Sequence, residues 1–273
     1  MWRIENNLLE RLPEKFPTSP LRYPGSKRKG IQQILSLIPN DITTMVSPFM
    51  GGGSIELVVS SMGIPVQAYD LFDFVVAFWK ELKEHPQQLH DDAMREIPMT
   101  KPRFYEMQKM DYTDVDQYTK ALNFYLLNKT SFLGTTFSGG CAYSTLKILT
   151  ENTVNKLLTY DLHNLEIECI SFDESIDHHY DDFLYLDPPY INRTQTLYGK
   201  HGNMHKDFSH RLLADILNAR DNWMLSYNDC PEVRELYSGH RILECTWGHR
   251  MSKIEFGELI ILSDDIPEIF GQQ

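Results

Sequence analysis

The sequence predicts an α/β fold: a mostly parallel sheet covered by helices on both faces, with one inserted module. Three observations predict it. Short apolar segments alternate with stretches of helical spacing along most of the chain. The alternation stops between about residues 82 and 164. Finally, Asp187-Pro188-Pro189-Tyr190 follows the apolar run Phe183-Leu184-Tyr185-Leu186, so a buried strand ends there in a proline-stiffened acidic loop.

The strands are expected at 43–49, 66–70, 165–170, 182–187, 222–228, 241–245 and 257–262. Each is a short run bounded by polar or turn residues. Helices are expected at 30–38, 53–61, 208–218 and 231–237, where apolar spacing or a start signal marks them. Strand–helix alternation of this kind gives a sheet buried on both faces, with ligands beyond the carboxyl ends of its strands. The interruption reads as helices at 102–110 and 115–128, then a Gly-, Ser- and Thr-rich loop from Lys129 to Ser144. A segment that long exceeds a crossover helix and reads as an inserted second module.

Composition narrows the function classes. The chain has 273 residues, of which 42% are hydrophobic, enough for one substantial core with an insertion. No apolar run approaches the ~20 residues of a membrane span. The first residues lack the charged-then-apolar pattern of a signal peptide. Cys141, Cys169, Cys230 and Cys245 are scattered, which suits free thiols in a reducing cytoplasm. No ligand spacing points to a metal. The formal net charge of −12 argues against a nonspecific nucleic-acid coat. Residues 21–30 depart from that average, carrying Arg22, Lys27, Arg28 and Lys29 and no acid. A local basic face can hold DNA in a modest, salt-sensitive way.

Four segments carry the candidate chemistry. The Asp187-Pro188-Pro189-Tyr190 loop presents a carboxylate, rigid carbonyls and an aromatic ring, a set that suits a planar base bearing an exocyclic amine. Ser47-Pro48-Phe49-Met50-Gly51-Gly52-Gly53-Ser54 joins a strand to a helix, and its glycines let the backbone approach a ligand. It fits neither G-x-G-x-x-G nor a Walker phosphate loop. Asp70 ends the second strand about 20 residues after the glycines, where doubly wound folds place a ribose-binding acid; a strand-end Asp also commonly caps the next helix. Leu21-Arg22-Tyr23-Pro24-Gly25-Ser26-Lys27 is a turn and helix start in which Lys27 can neutralise an anion.

In this order, the four segments resemble the Dam-like N6-adenine DNA methyltransferases. Tyr198-Gly199, Phe208-Ser209-His210, Leu225-Ser226-Tyr227-Asn228-Asp229, Trp247-Gly248 and Glu258-Leu259-Ile260-Ile261 look like later blocks of a phage and prokaryotic branch. The resemblance implies a Rossmann-like seven-stranded sheet with its last strand antiparallel, S-adenosylmethionine as cofactor and double-stranded DNA as partner. It also implies a catalytic domain at 1–81 and 165–273 and a mainly helical target-recognition domain at 82–164, in a cytoplasmic monomer or weak dimer.

Carried over by position, Asp187, Pro188 and Tyr190 would bind and activate the target adenine. Tyr23, Lys27, Phe49, Gly51, Gly53, Asp70, Phe172 and Asp187 would contact the cofactor. Lys129, Thr135, Thr136, Ser138, Arg193 and Lys200 are candidate DNA contacts, with Arg22 a further candidate for phosphate. Two departures stand out. The block before the Asp-Pro-Pro-Tyr loop begins Ser171-Phe172-Asp173-Glu174, without the Asp many relatives place there. The loop at 133–140 has no Arg, so the guanine-reading Arg of GATC-specific members is missing. A methyltransferase acting on cytosine N4 or RNA adenine, or a non-catalytic DNA-binding relative, would carry similar segments.

Overall fold

A computed structural model describes residues 11–23, 25–191, 208–245 and 257–267. Seven strands form one sheet: β1 Met45–Ser47, β2 Val66–Tyr69, β3 Leu165–Glu168, β4 Phe183–Leu186, β5 Trp223–Asn228, β6 Arg241–Glu244 and β7 Glu258–Leu262. Their order is β3-β2-β1-β4-β5-β7-β6. The first five pair in parallel, and β7 runs antiparallel between β5 and β6. All seven expected strands are present, each within the expected bounds, and the sheet is the Rossmann-like one expected.

Patterning explains the arrangement. β1, β4, β5 and β7 are buried at every position, as central strands covered on both faces must be. β3, at one edge, alternates buried and exposed residues. The order places a switch point between β1 and β4, because the chain leaves β1 toward β2 and returns at β4 on the other side. The glycine turn follows β1 and Asp187 follows β4, so both stand at that crevice.

Helix Asp73–Glu84 is buried on almost every side, from Phe74 through Trp79 and at Leu82. It lies against helix Gln117–Thr130, whose start is capped where the Asp116 carboxylate accepts the Thr119 N–H at 2.9 Å. Phe78 stacks on Tyr125 at 5.6 Å between centroids. Thr100 caps helix Lys101–Lys109 by accepting the Arg103 N–H. Apolar residues of these helices share one continuous core with Met45, Val66 and Phe183 of the sheet. Short helices at Tyr143–Leu146, Glu151–Asn155 and Phe172–Asp177, and the longer Pro86–Arg95, stand where the periodicity had pointed to no helix.

Phe124 is buried among Phe72 and Phe78, and truncating it removes a large side chain from the shared core. Phe124→Ala is expected to cost about 3–5 kcal/mol and to lower one unfolding transition of the whole protein. A melt followed by circular dichroism checks this; a separate early transition would contradict it.

Candidate active site

The glycine turn is shaped by its backbone angles and its neighbours. Gly51 and Gly53 have φ of 44° and 65°, the left-handed region where a side chain is strained. Space is as restrictive as torsion. A Cβ on Gly51 would lie 2.7 Å from Tyr23 Cε1, and one on Gly53 would lie 2.9 Å from Trp79 Cζ2. Trp79 Nε1 also donates to the Gly51 carbonyl at 3.0 Å. Tyr23 therefore covers the turn from one side and Trp79 supports it from beneath.

Asp70 stands at the tip of β2, where its spacing placed it. One of its oxygens accepts the Gly51 N–H at 2.8 Å, and the other accepts the Phe72 N–H at 2.9 Å, at the start of the following helix. It is at once a clasp on the glycine turn and the anchor of the short turn that leads into the helix. Burial pushes its carboxyl up to about 6, against the lowering effect of those N–H donors.

The Asp187 carboxylate meets Lys27. The Lys27 ammonium donates to Oδ1 at 2.6 Å, to Oδ2 at 2.7 Å and to the Gly25 carbonyl at 2.9 Å. Lys27 is only 3% exposed while the Asp187 side chain is 24% exposed, so this is a partly buried ion pair at the base of a cleft. Tyr190 lies beneath the same ammonium, 4.9 Å from ring centroid to Nζ. Its hydroxyl donates to Glu258 Oε1 at 2.8 Å, and Glu258 lies 3.8 Å from Lys27. Burial, with the charges of Asp187 and Glu258, pushes the Tyr190 hydroxyl well above its ordinary value, so it remains a donor. Pro188 is buried beside them.

One cleft is lined by Tyr23, Lys27, Phe49, the turn from Gly51 to Gly53, and Asp187. Farther along, Phe49 stacks on Phe172 at 5.6 Å, and Phe208 meets both rings at 5.6 and 5.2 Å. The sequence pointed to Phe49 and Phe172 separately; the fold joins them and adds Phe208.

The candidate DNA contacts divide. Ser138 is exposed, and Thr135 is half-buried with its hydroxyl donating to the Phe132 carbonyl at 2.7 Å. Thr136 is buried, with φ of 44° and its carbonyl held by the Gln108 amide at 2.6 Å. Lys129 is half-buried, its ammonium 5.7 Å above the Tyr125 ring, and burial lowers it to about 8. Arg193 and Lys200 lie outside the described residues. Arg22 is not left free for phosphate: its guanidinium donates to the Lys129 and Ser131 carbonyls at 3.2 and 2.9 Å. Asn128 completes this clamp, accepting the Arg22 N–H at 2.7 Å and donating to the Arg22 and Gly134 carbonyls.

Glu258, Phe208 and the Asn128–Arg22 clamp escaped sequence reasoning as site residues. Phe208 and Glu258 stood in noted blocks, but their contacts depend on pairings between distant segments. Phe132 and Leu133 are exposed beside Thr135, and nothing in the sequence sets them apart from the rest of the loop.

With this geometry in place, comparison with known proteins decides the family. The family model of D12 class N6 adenine-specific DNA methyltransferases matches residues 23–251. The chain belongs to that family. It is an adenine-specific DNA methyltransferase, as its ordered segments had implied. It is 24% identical to the type II methyltransferase M.CviBI of Paramecium bursaria Chlorella virus NC1A, over 81% of this chain and 86% of that protein. It is 23% identical to the type II methyltransferase M1.LlaDCHI of Lactococcus lactis subsp. cremoris, over 86% of this chain and 89% of that one. Among the described residues, no helix is long and apolar enough to cross a membrane.

A second buried acid of the cleft, Glu56, is pushed up to about 7 by burial, with the Asp187 charge adding to the rise. Its stabilising contribution, like that of Asp70, is complete below the ordinary carboxylate range. It is lost as pH rises through about 6 for Asp70 and about 7 for Glu56. His90, held above its ordinary value by hydrogen bonds that it donates to the Asn155 and Asp91 side-chain oxygens, acts in the same direction. The ligand-free protein is therefore expected to melt lower at about pH 8 than at about pH 5.5, and Glu56→Gln to flatten the upper part of that slope. Differential scanning calorimetry across the range checks this; a level or rising profile would contradict it.

Proposed function

We propose that the cleft holds S-adenosylmethionine and that Asp187, Pro188 and Tyr190 receive an adenine flipped from double-stranded DNA, for methylation at N6. The observation carrying this reading is that Asp187 lines the same cleft as the glycine turn, at the switch point between β1 and β4. The residues suit such a cofactor. The glycine turn presents bare backbone where a Cβ would collide. Tyr23 and Lys27 would hold the amino-acid end, Asp70 the ribose, and Phe49 with Phe172 the adenine ring; Phe208 extends the aromatic wall. When bound, the cofactor supplies an electrophilic methyl group.

The chain's own task is to make a poor nucleophile competent. The N6 lone pair of adenine is delocalised into its ring. In this mechanism, the Asp187 carboxylate and the Pro188 carbonyl each accept one N–H, which favours a pyramidal nitrogen and offsets its developing positive charge. Lys27 must yield an Asp187 oxygen to the amine, and Glu258 at 3.8 Å offers the ammonium another partner. Positioning contributes several kcal/mol, up to about 7–11 for ideal alignment. Extruding the base costs a few kcal/mol, and stacking on Tyr190 recovers part of it.

In this reading, residues 82–164 form the target-recognition domain, and residues 1–81 and 165–273 the catalytic domain. Support comes from the face around the 131–144 loop. Phe132, Leu133 and Tyr143 are exposed there, with Lys147 4.4 Å over the Tyr143 ring, and aromatic surface mixed with cations suits nucleic acid. Ser138, Thr135, Thr136 and Lys129 lie in or next to this loop, and Arg193 and Lys200 would add phosphate contacts. The type II designation of both relatives supports a modification role of that type.

Asp187→Ala is expected to lower methyl transfer by at least about 100-fold while leaving the melting profile cooperative. Incubating unmethylated genomic DNA with protein and cofactor, then mapping modified adenines at base resolution, measures this and reveals the target site. Wild-type modification by the variant would refute the role of Asp187. Tyr190→Ala is expected to slow methylation more on paired than on mismatched adenine, because a mismatched base costs less to extrude. Equal losses on the two substrates would refute the stacking role.

A further inference from the structure

Glu56 opens the helix Glu56–Ser61, one turn beyond the glycines, and lines the same cleft as Lys27 and Asp187. It is 3% exposed. Its oxygens accept only from neutral donors, the Ser47 hydroxyl at 2.7 Å and the Ile55 N–H at 3.2 Å. Among the described residues no cation pairs with it. The cation in this cleft, Lys27, has both Asp187 oxygens and the Gly25 carbonyl as partners. A buried carboxylate without a counter-charge is costly, and such groups are ordinarily paired.

A second polar group stands in the same cleft wall. β4 runs beside β1, and the register that pairs Val46 with Leu184 brings Tyr185 alongside Ser47, below Glu56. Tyr185 is 1% exposed and lines the cleft. Its hydroxyl, and that of Ser226 beside it, have no hydrogen-bond partner in good geometry among the described residues. The groups facing Glu56 are therefore Ser47 from β1, Tyr185 and Asp187 from β4, and Lys27 from the segment before the first helix. Among the described residues, this wall has more acceptors than its single lysine satisfies. It asks for a small cation bearing several N–H donors.

We propose that Glu56, with Tyr185, is an ammonium-binding subsite that takes the α-ammonium of the cofactor's amino-acid portion. The assignment rests on the cofactor reading given above, and it adds a residue to the amino-acid end beyond Tyr23 and Lys27. A neighbouring ammonium favours the ionised carboxylate, so filling the subsite expels the proton that the buried Glu56 holds near neutral pH. Occupancy and proton release are then linked. Asp70, also raised, titrates nearby but faces the ribose position.

The test compares two ligands by isothermal titration calorimetry. S-adenosylhomocysteine carries the amino-acid portion; 5′-methylthioadenosine keeps the nucleoside and thioether without it. Glu56→Gln is expected to weaken S-adenosylhomocysteine about 10-fold or more, the scale for a lost charged hydrogen bond. It is expected to leave 5′-methylthioadenosine within about two-fold, because that ligand does not reach the subsite. In buffers of different ionisation enthalpy near pH 6.5, wild-type protein should release more protons with the first ligand than with the second. Both ligands share the ribose, so the Asp70 contribution cancels. The wild-type comparison stands even if the variant does not fold.

Equal losses for both ligands would assign Glu56 a purely structural role and overturn the proposal, as would no loss for either or equal proton release. Failure of wild-type protein to bind either ligand would instead overturn the cofactor reading, and this assignment with it.

Discussion

The ion pair between Lys27 and Asp187 joins what the sequence keeps 160 residues apart. One partner belongs to the turn ahead of the first helix, the other to the tip of β4. Lys27 is almost wholly buried while Asp187 stays partly open to the cleft, and both carboxylate oxygens fix the direction of the ammonium. The surrounding groups take their positions from it. Tyr190 lies under the ammonium, and Glu258 holds the Tyr190 hydroxyl while approaching Lys27 from β7. Two strands, β4 and β7, and the N-terminal turn thus converge on one charge. In the proposed mechanism a base amine arriving at Asp187 would meet an acceptor that is already oriented, which is the condition for electrostatic preorganisation.

The glycine turn is held in a complementary way, by hydrogen bonds and contact. Asp70 grips the Gly51 N–H, Trp79 grips the Gly51 carbonyl, and Tyr23 lies across both. Trp79 belongs to the helix that packs against Gln117–Thr130. Packing of the inserted helices therefore reaches the cleft through one indole ring.

How much of this could be read from sequence depended on the range of the physics involved. The strands were legible because a sheet covered on both faces demands unbroken apolar runs, such as Phe183–Leu186 and Trp223–Asn228, between turn signals. Asp70 and Asp187 were legible because strand ends in parallel sheets point to one edge. Short helices such as Tyr143–Leu146 and Glu151–Asn155 were not, because four or five residues carry no resolvable period. Thr135 and Thr136 look equivalent in sequence, yet one is half-buried and the other enclosed. Glu56 carries no signal in the sequence; only the fold shows that it faces inward with no cation beside it among the described residues. Arg22 looked like a phosphate ligand because a guanidinium's partners are invisible without tertiary structure.

The Arg22 clamp has a consequence for how target preference can change. Gly134 sits so close that a Cβ there would come within 1.8 Å of the Arg22 carbonyl oxygen, and Asn128 locks both strands of the contact. Arg22 adjoins Tyr23, which covers the glycine turn. Loop and turn are thus one mechanical unit. If the 131–144 loop reads the target as proposed, a loop transplanted from a relative would not behave as a cassette, since its backbone must also fit a foreign N-terminal turn. Lineages that acquire a new target sequence would be expected to replace the two segments together, or to vary only the outward tip at Phe132 and Leu133 and leave the hinge intact.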